Sequence, residues 1–569
     1  MAQKNLLGKI FLRFKKNISS LQSLYDLYLI WSSRLFDKNW YLAHNPDVAQ
    51  AGMNPALHYL FFGGFEGRDP GPNFQSKWYL DAHKDVEKLG MNPLVHYLKY
   101  GRKEGRGKDI QRYDLSLIRS SDLFDEAWYL ENNPDIAQAG VDPALHYLIY
   151  GGFEGRGPGP NFYSDWYLEA NEDVKKAGVN PLIHYLKYGW KEGRGVIPFK
   201  LARMYDYSKQ ANSIVFEDRP EQIYLQCPRV VGDFSGNLDE GEALCPPAYV
   251  SSIADAIVIG GAGFVIVKKD NILSDELTDF PGKDFGFKSL LIRYRRGDTL
   301  LLGHINESSL HIKEGIHLSC GHDANYFHWL IECLPKLMLI DELKQFKDVP
   351  ILIQKGLHQN LEVALDRVNI NHRQLIYLEP NVSCHVERLI CPSALSRIID
   401  RFQGHPVFDA DVVLSHKWIT KVSELLKKDR QAGQKPWRKL YLTRRAGKRA
   451  LGNREEIELI LSEQDFEIVD LVGVSLDFQI ELFSQASVIV APSGAALTNM
   501  LFCQPGTKVI IFMPNHGSTN YYFWKSLGDV MHLDVKIIAC ERLFNSLSVH
   551  DDFVVDSKIL LEEIKNIEL

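Results

Sequence analysis

The chain has 569 residues, enough for three or four folding units at roughly 150 residues each. Hydrophobic residues make up 45% and charged residues 24%, an ordinary globular balance. The net charge of −7 at pH 7 argues against a nucleic-acid binder, which needs a broad basic surface.

Eight cysteines are scattered, and none forms a Cys-x-x-Cys pair, so they read as reduced thiols of a cytoplasmic protein. The longest apolar run, 256–267, is too short to cross a bilayer and holds three glycines. Lys9 and Arg13 interrupt any N-terminal apolar region, so no signal peptide is expected.

Residues 1–24 read as a basic amphipathic helix. Leu6, Ile10, Phe14 and Ile18 recur every fourth position, and Lys4, Lys9, Arg13, Lys15 and Lys16 precede the first acid, Asp26. Such a helix suits an anionic membrane surface, here the inner membrane face, or docks on the segment that follows.

Residues 25–195 hold four copies of one unit. Trp-Tyr-Leu begins at Trp40, Trp78, Trp128 and Trp166, and each copy ends in Glu-Gly-Arg at Arg68, Arg106, Arg156 and Arg194. Between them stand Asp47, Asp85, Asp135 and Asp173, then an Asn-Pro or Asp-Pro, then His58, His96, His146 and His184. The repeat is nested, because copies one and three share Gly-Gly-Phe-Glu-Gly-Arg and copies two and four share His-Tyr-Leu-Lys-Tyr-Gly. Each copy reads as two short helices, with proline at a first helical position and a glycine stop after Phe62, Tyr100, Tyr150 or Tyr188. Such units must stack to bury their apolar faces, and the recurrent His, Asp, Glu and Arg read as polar contacts that hold each unit together.

Residues 196–395 read as strands alternating with helices, an α/β lobe with a largely parallel sheet. Within it, Gly-His-Asp-Ala-Asn-Tyr-Phe-His-Trp-Leu-Ile-Glu-Cys-Leu-Pro, residues 321–335, opens an apolar helix. Asp323 and Asn325 are both good N-caps. Asn325, His328 and Glu332 fall three and four apart, so they share one face a turn apart. An amide, an imidazole and a carboxylate there form a candidate proton-handling site; the plain alternative is an ordinary polar pair on a solvated face.

Residues 396–569 read as a doubly wound α/β lobe. The strand at 439–443 runs into Arg444, Arg445, Lys448 and Arg449, and Asn453 is expected to cap the next helix. A buried strand at 487–491 runs into Ser493, Gly494, Ala495, Ala496 and Asn499. Small residues at such a turn let a diphosphate approach backbone amides, and the arginines supply fork donors. Close packing and a solvated basic loop are the alternatives for these two features.

Together these segments resemble glycosyltransferase family 61. The resemblance covers roughly residues 215–540 and is carried by residues 325–332 with Leu334-Pro335, 441–445 with Arg449 and Asn453, 475–486 with Gln479, and 494–499 with Pro505-Gly506. The repeats resemble modules appended to bacterial glycosyltransferases. The family implies a GT-B fold of two Rossmann-like lobes, an acceptor side at 196–395 and a nucleotide-sugar side at 396–569, behind an all-α repeat domain. It implies inverting transfer from a nucleotide sugar, usually UDP-linked, without a bound metal or other cofactor, to a glycan acceptor. The setting implied is bacterial capsular or extracellular polysaccharide synthesis.

On that resemblance Glu332 is the expected base, with His328 second, and Asp323 and Asn325 orient hydroxyls. Arg444, Arg445, Arg449, Ser493, Asn499 and the amides of Gly494, Ala495 and Ala496 hold the donor. Ser493 stands where the family often has histidine, and Ile511 where many members have an acid. Those departures support a rival reading, a non-catalytic nucleotide- or glycan-binding scaffold. A glycan hydrolase would need two opposed carboxylates and no phosphate turn. Asp409-Ala410-Asp411 matches the metal-binding acid pair of another glycosyltransferase fold and is read as a helix start. The repeats are expected to bind a protein partner or the growing glycan.

Overall fold

The computed structural model describes residues 21–104, 106, 110–232, 234, 236, 238–268, 270–279, 291–399, 405–428, 435–445, 449–544 and 551–568. The chain divides into two compact units, Met1–Val196 and Ile197–Leu569. The expected basic helix falls outside the described residues except for its last four, which open a helix Leu21–Ser32. Among the described residues, no helix is long and apolar enough to cross a membrane.

The first unit is helical, and its repeats are denser than expected. The first copy has three short helices, Lys38–His44, Pro46–Gln50 and Pro55–His58, because Asn45 leaves helical geometry at φ −131° and ψ 74°. Asn54 caps the third through the amides of Ala56 and Leu57, and Pro55 fills the first helical position. The chain then widens into a π-turn, Tyr59–Gly63, in place of the glycine stop that the sequence suggested. The left-handed residue is the later Gly67 at φ 75°, matched by Gly155 at 80° and Gly193 at 67°.

Gly63 is dictated by contact. A Cβ there would lie 2.1 Å from the Tyr41 hydroxyl, which is hydrogen-bonded to His58 Nδ1 at 2.9 Å. The arrangement recurs at Gly101, Gly151 and Gly189 against Tyr79, Tyr129 and Tyr167. Arg68 ties the copy closed, donating to Asp47 at 2.8 Å, Glu66 at 2.7 Å and Asn45 at 3.0 Å.

The π-turn also explains the nesting. Asn92 of the second copy donates to the carbonyls of Tyr59, which also accepts from the Gly64 amide at 2.9 Å, and of Leu60 in that turn, at 3.0 and 3.2 Å. A Cβ at Gly64 would stand 2.3 Å from that amide, so the first copy needs Gly-Gly. Asn180, Tyr147, Leu148 and Gly152 repeat this in the second pair. In copies two and four the same position is Arg102 or Trp190. Each pair closes its own apolar core, one running from Ile30 to Tyr97 and the other from Ile118 to Ile183.

The second unit is mixed α/β. Among the described residues its first sheet has eleven strands; Leu375–Leu378, Ile351–Gln354, His311–His317 and Ser383–Pro392 form a parallel run of four, and Pro198–Ala202 with Asn271–Leu273 a separate parallel pair. Tyr249–Ile259, Val265–Val267 and Asn271–Leu273 continue it antiparallel. The largely parallel sheet is therefore corrected to a mixed one. Glycines 260, 261 and 263 fold this stretch into a hairpin.

The second sheet carries the order Glu467–Val469, Arg438–Leu442, Ala486–Pro492, Lys508–Pro514, Asp534–Arg542, all parallel. An earlier strand, Arg229–Gly232, adds in parallel to Asp534–Arg542. One apolar cluster contains residues from both sheets, from Val250 and Ile316 to Leu440, Ile489 and Ile537.

Candidate active site

In the second sheet the chain leaves Arg438–Leu442 for the strand on one side, then returns to pair Ala486–Pro492 on the other. Between the carboxyl ends of these two strands is the switch point where open α/β sheets bind ligands. A pocket of about 420 Å³ lies there. It is lined by Arg444 and Arg445 after the first strand and by Gly494, Ala495, Ala496 and Asn499 after the second. The segment after Pro492 is a 3₁₀-helix, Ala495–Phe502, which exposes Ala495 and Ala496 at its start.

Arg444 is the electrostatic centre of this pocket. Its Nη1 donates to the Ser493 carbonyl at 3.2 Å, and a Cβ on Gly494 would sit 3.0 Å from the same nitrogen. No carboxylate lies within ion-pair distance of it among the described residues. Burial lowers its pKa, while Asp552 acts in the opposite sense. Arg445 is exposed, 3.9 Å from Asp470.

Arg449 stands at φ 60° and reaches Ser493 Oγ at 3.4 Å, outside the pocket lining. Ser493 is buried and accepts from Trp524 Nε1 at 2.9 Å. Lys448 lies outside the described residues. Asn453 does not cap its helix; its side chain instead bonds the backbone of Val555 on both sides.

The sequence reading gave no site role to Tyr326, His358, Asn360 or Gln479, which also line the pocket. Tyr326 donates to Asn499 Oδ1 at 2.7 Å, and Asn499 donates to Gln479 Oε1 at 2.8 Å. This relay carries the 326–328 helix onto the pocket wall, and burial raises the Tyr326 pKa strongly. Asn360 bridges Val474 O and the Leu476 amide, beside His358. The helix-start patterns at 358 and 475 were the available signal for that bridge.

The 321–335 stretch is not one α-helix. Asn325 caps Tyr326–His328 by accepting from the Phe327 amide at 2.9 Å. Trp329–Cys333 is a π-turn, followed by Leu334–Asp341 with Pro335 near its start. Pro335 has no amide proton for the ladder, and a π-turn tolerates that gap.

His328 and Glu332 are buried, at 9% and 4% exposure, and hydrogen-bonded through Nδ1 and Oε2. The solvated polar pair is thereby excluded. The His322 ring lies 5.1 Å from that of His328. Neither His328, Glu332 nor Asp323 lines the 420 Å³ pocket; Phe327, next to His328, packs on Trp524, the partner of Ser493.

Asp323 faces its own loop. Its Oδ1 accepts from the Cys320 amide and from Ser319 Oγ, both at 2.9 Å. Cys320, Asp323 and Cys333 gather three ligand-type atoms within 4.8 Å, all buried. Burial pushes the Cys333 thiol well above its usual value, and Asp323 is already engaged, so the set suits hydrogen-bonded thiols. Asp409 and Asp411 lie in a short helix, Phe408–Asp411, where Asp411 accepts from the Val407 amide at 2.7 Å.

Residues 326–510 match a family model described as Glycosyltransferase 61, which supports glycosyltransferase activity. No curated protein matches the chain.

Proposed function

We propose that the chain is an inverting glycosyltransferase that moves a sugar from a UDP-linked donor to a glycan acceptor, with the nucleotide side of a GT-B fold at the second sheet. The single observation that carries the donor assignment is Arg444, a half-buried guanidinium with a carbonyl but, among the described residues, no carboxylate partner, at a switch point beside a turn of small residues. A diphosphate supplies the missing counter-charge in bidentate geometry. As the glycosyl bond breaks, charge builds on the departing diphosphate. Arg444, Arg445 and the amides after Gly494 are donors already in position, which is where such catalysis draws most of its energy. With these donors in a cation's usual role, transfer proceeds without a bound metal.

The acceptor hydroxyl needs a base. Glu332 is the more buried member of its pair and is bonded to His328 Nδ1. A carboxylate on Nδ1 fixes the tautomer with a free lone pair on Nε2 and stabilises the imidazolium that forms. This supports His328 as the base and Glu332 as its partner, the reverse of the order weighed from sequence. The repeats and the basic residues at 4–16 fit a polysaccharide-assembling enzyme held at an anionic membrane surface. Thermal shift with UDP, GDP and CMP in the presence of EDTA tests the donor class. A shift confined to UDP is expected, and no shift with any nucleotide would leave the scaffold reading in its place.

A further inference from the structure

A second concavity of the Ile197–Leu569 unit, about 690 Å³ in volume, lies outside the nucleotide pocket. Chain leaving several strands encloses it: Arg203 after Pro198–Ala202, Asp275 and Asp279 after Asn271–Leu273, and Ser393 to Ile399 after Ser383–Pro392. Pro220, Pro246, Pro247, Ile398 and Ile399 give it apolar walls. Mostly apolar walls with a few placed polar groups are the usual make-up of a small-molecule site.

By residue count the walls are acidic, six carboxylates to three guanidiniums, and several of these groups already have partners. Arg203 binds Asp279 at 2.5 Å and sits 3.7 Å from Asp275. Glu217 accepts from the Tyr205 hydroxyl at 2.6 Å, and Asp218 lies 3.4 Å from Lys417. Arg397 is different. Its Nε is buried without a hydrogen-bond partner, and its guanidinium has no carboxylate at ion-pair distance among the described residues. Arg219, at the exposed rim, is likewise without an ion-pair partner there. Arg397 is half-buried, and the charge of Asp279 on the same wall acts on it without reaching ion-pair distance, so an anionic ligand can take up its open donors.

The cavity is tied to the proton-handling loop. Ser383–Pro392 pairs in parallel with His311–His317, the strand that leads into the loop before Asn325, so the cavity segment 393–399 and that loop leave the same edge of the first sheet. Lys336 holds the Ser319 carbonyl of that loop at 2.9 Å. Lys336 is itself buried, but the charge of Glu276 on the cavity wall favours its protonated form.

We propose that this cavity binds an acidic sugar of the acceptor glycan, with the ligand's carboxylate or phosphate on Arg397 and its ring against the proline and isoleucine walls. The inference rests on the glycosyltransferase reading for the word acceptor; binding of an acidic sugar does not.

The test is saturation-transfer NMR on the full chain with D-glucuronate, glucose 6-phosphate and neutral methyl glucoside, in excess UDP to occupy the nucleotide pocket. Wild type, Arg397→Met and Arg397→Lys are compared, with melting temperature as the control for folding. At least one acidic sugar is expected to bind five-fold or more tightly than the neutral one. Arg397→Met should weaken it at least ten-fold at unchanged melting temperature, with Arg397→Lys intermediate. Preference for glucuronate assigns a carboxylate ligand, and preference for glucose 6-phosphate a phosphate. Equal binding of neutral and acidic sugars, no acidic binding, or displacement by UDP would overturn the proposal, as would indifference to Arg397→Met. Should Arg397→Met not fold, the wild-type preference and Arg397→Lys decide by the same criteria. Acidic-sugar binding without any UDP response would sink the donor reading and leave this site standing.

Discussion

Replacing Arg444 with methionine separates what the residue does for the fold from what it does for a ligand. Among the described residues its guanidinium makes one hydrogen bond, at 3.2 Å to the Ser493 carbonyl. A bond of that kind contributes about 0.5–1.5 kcal/mol net. Burial acts against the charge, so its removal offsets part of that loss, and methionine keeps the apolar stem. The melting temperature should therefore move by no more than about 2 °C. A diphosphate oxygen on the guanidinium is a charge-assisted bond, about 1.5–3 kcal/mol. UDP affinity should then fall by about 10- to 150-fold, since each 1.4 kcal/mol is tenfold. Isothermal titration with UDP, beside a thermal melt of the same preparation, reads both quantities. Unchanged UDP affinity together with a large drop in melting temperature would refute the reasoning, because Arg444 would then be a structural brace.

Further outcomes follow from other parts of the molecule. His328→Ala and Glu332→Gln should each lower turnover by about 10²- to 10⁴-fold while UDP affinity stays within about threefold; equal loss of UDP binding would show that the pair only supports the fold. Gly63→Ala in the repeats should cost about 1–3 kcal/mol by overpacking, because its Cβ would lie 2.1 Å from the Tyr41 hydroxyl; a denaturant melt of the isolated residues 21–196 would measure it. Burial, then the charge of Lys336, lowers the His317 pKa to about 4 from 6.5, so the folded state binds its proton later than the unfolded state does. Stability from this group is complete above pH 6.5 and is lost as pH falls towards about 4; His317→Gln should flatten that part of the melting profile. Arg106 lowers the Asp85 carboxyl to about 2, and Arg194 does the same for Asp173, so these closures should persist at pH 4 and fail only as pH approaches 2.

The second sheet was readable because its strands are buried on both faces. Ala486–Pro492 and Lys508–Pro514 appear as unbroken apolar runs, and the turns after them are marked by small residues. The first sheet was harder. A hairpin and a crossover leave similar apolar runs, and the glycines at 260–263 do not say which neighbour a strand takes. Arg444, Gly494 and Asn499, which line the pocket, were singled out from sequence because ligands bind at strand ends in open α/β sheets. Tyr326 was visible in the motif, but its role depends on Asn499, far away in sequence. Asp323 satisfied the rule for a helix cap, yet Asn325 performs that task, and the Asp323 carboxylate turns back to the Cys320 amide. Spacing along a helix could not reveal that, because the three residues before the cap are not helical.

The asparagine that enters the π-turn of the preceding copy makes the repeat array countable only in twos. Asn92 and Asn180 each donate to carbonyls in the π-turn of the preceding copy, and Gly64 and Gly152 are cut to fit them. An array shortened by one copy would end on an unmet polar edge, or would join two copies of the same type that have no matching groove. Relatives with longer or shorter arrays should therefore carry an even number of copies, and duplication within this gene is viable only when its endpoints fall between pairs.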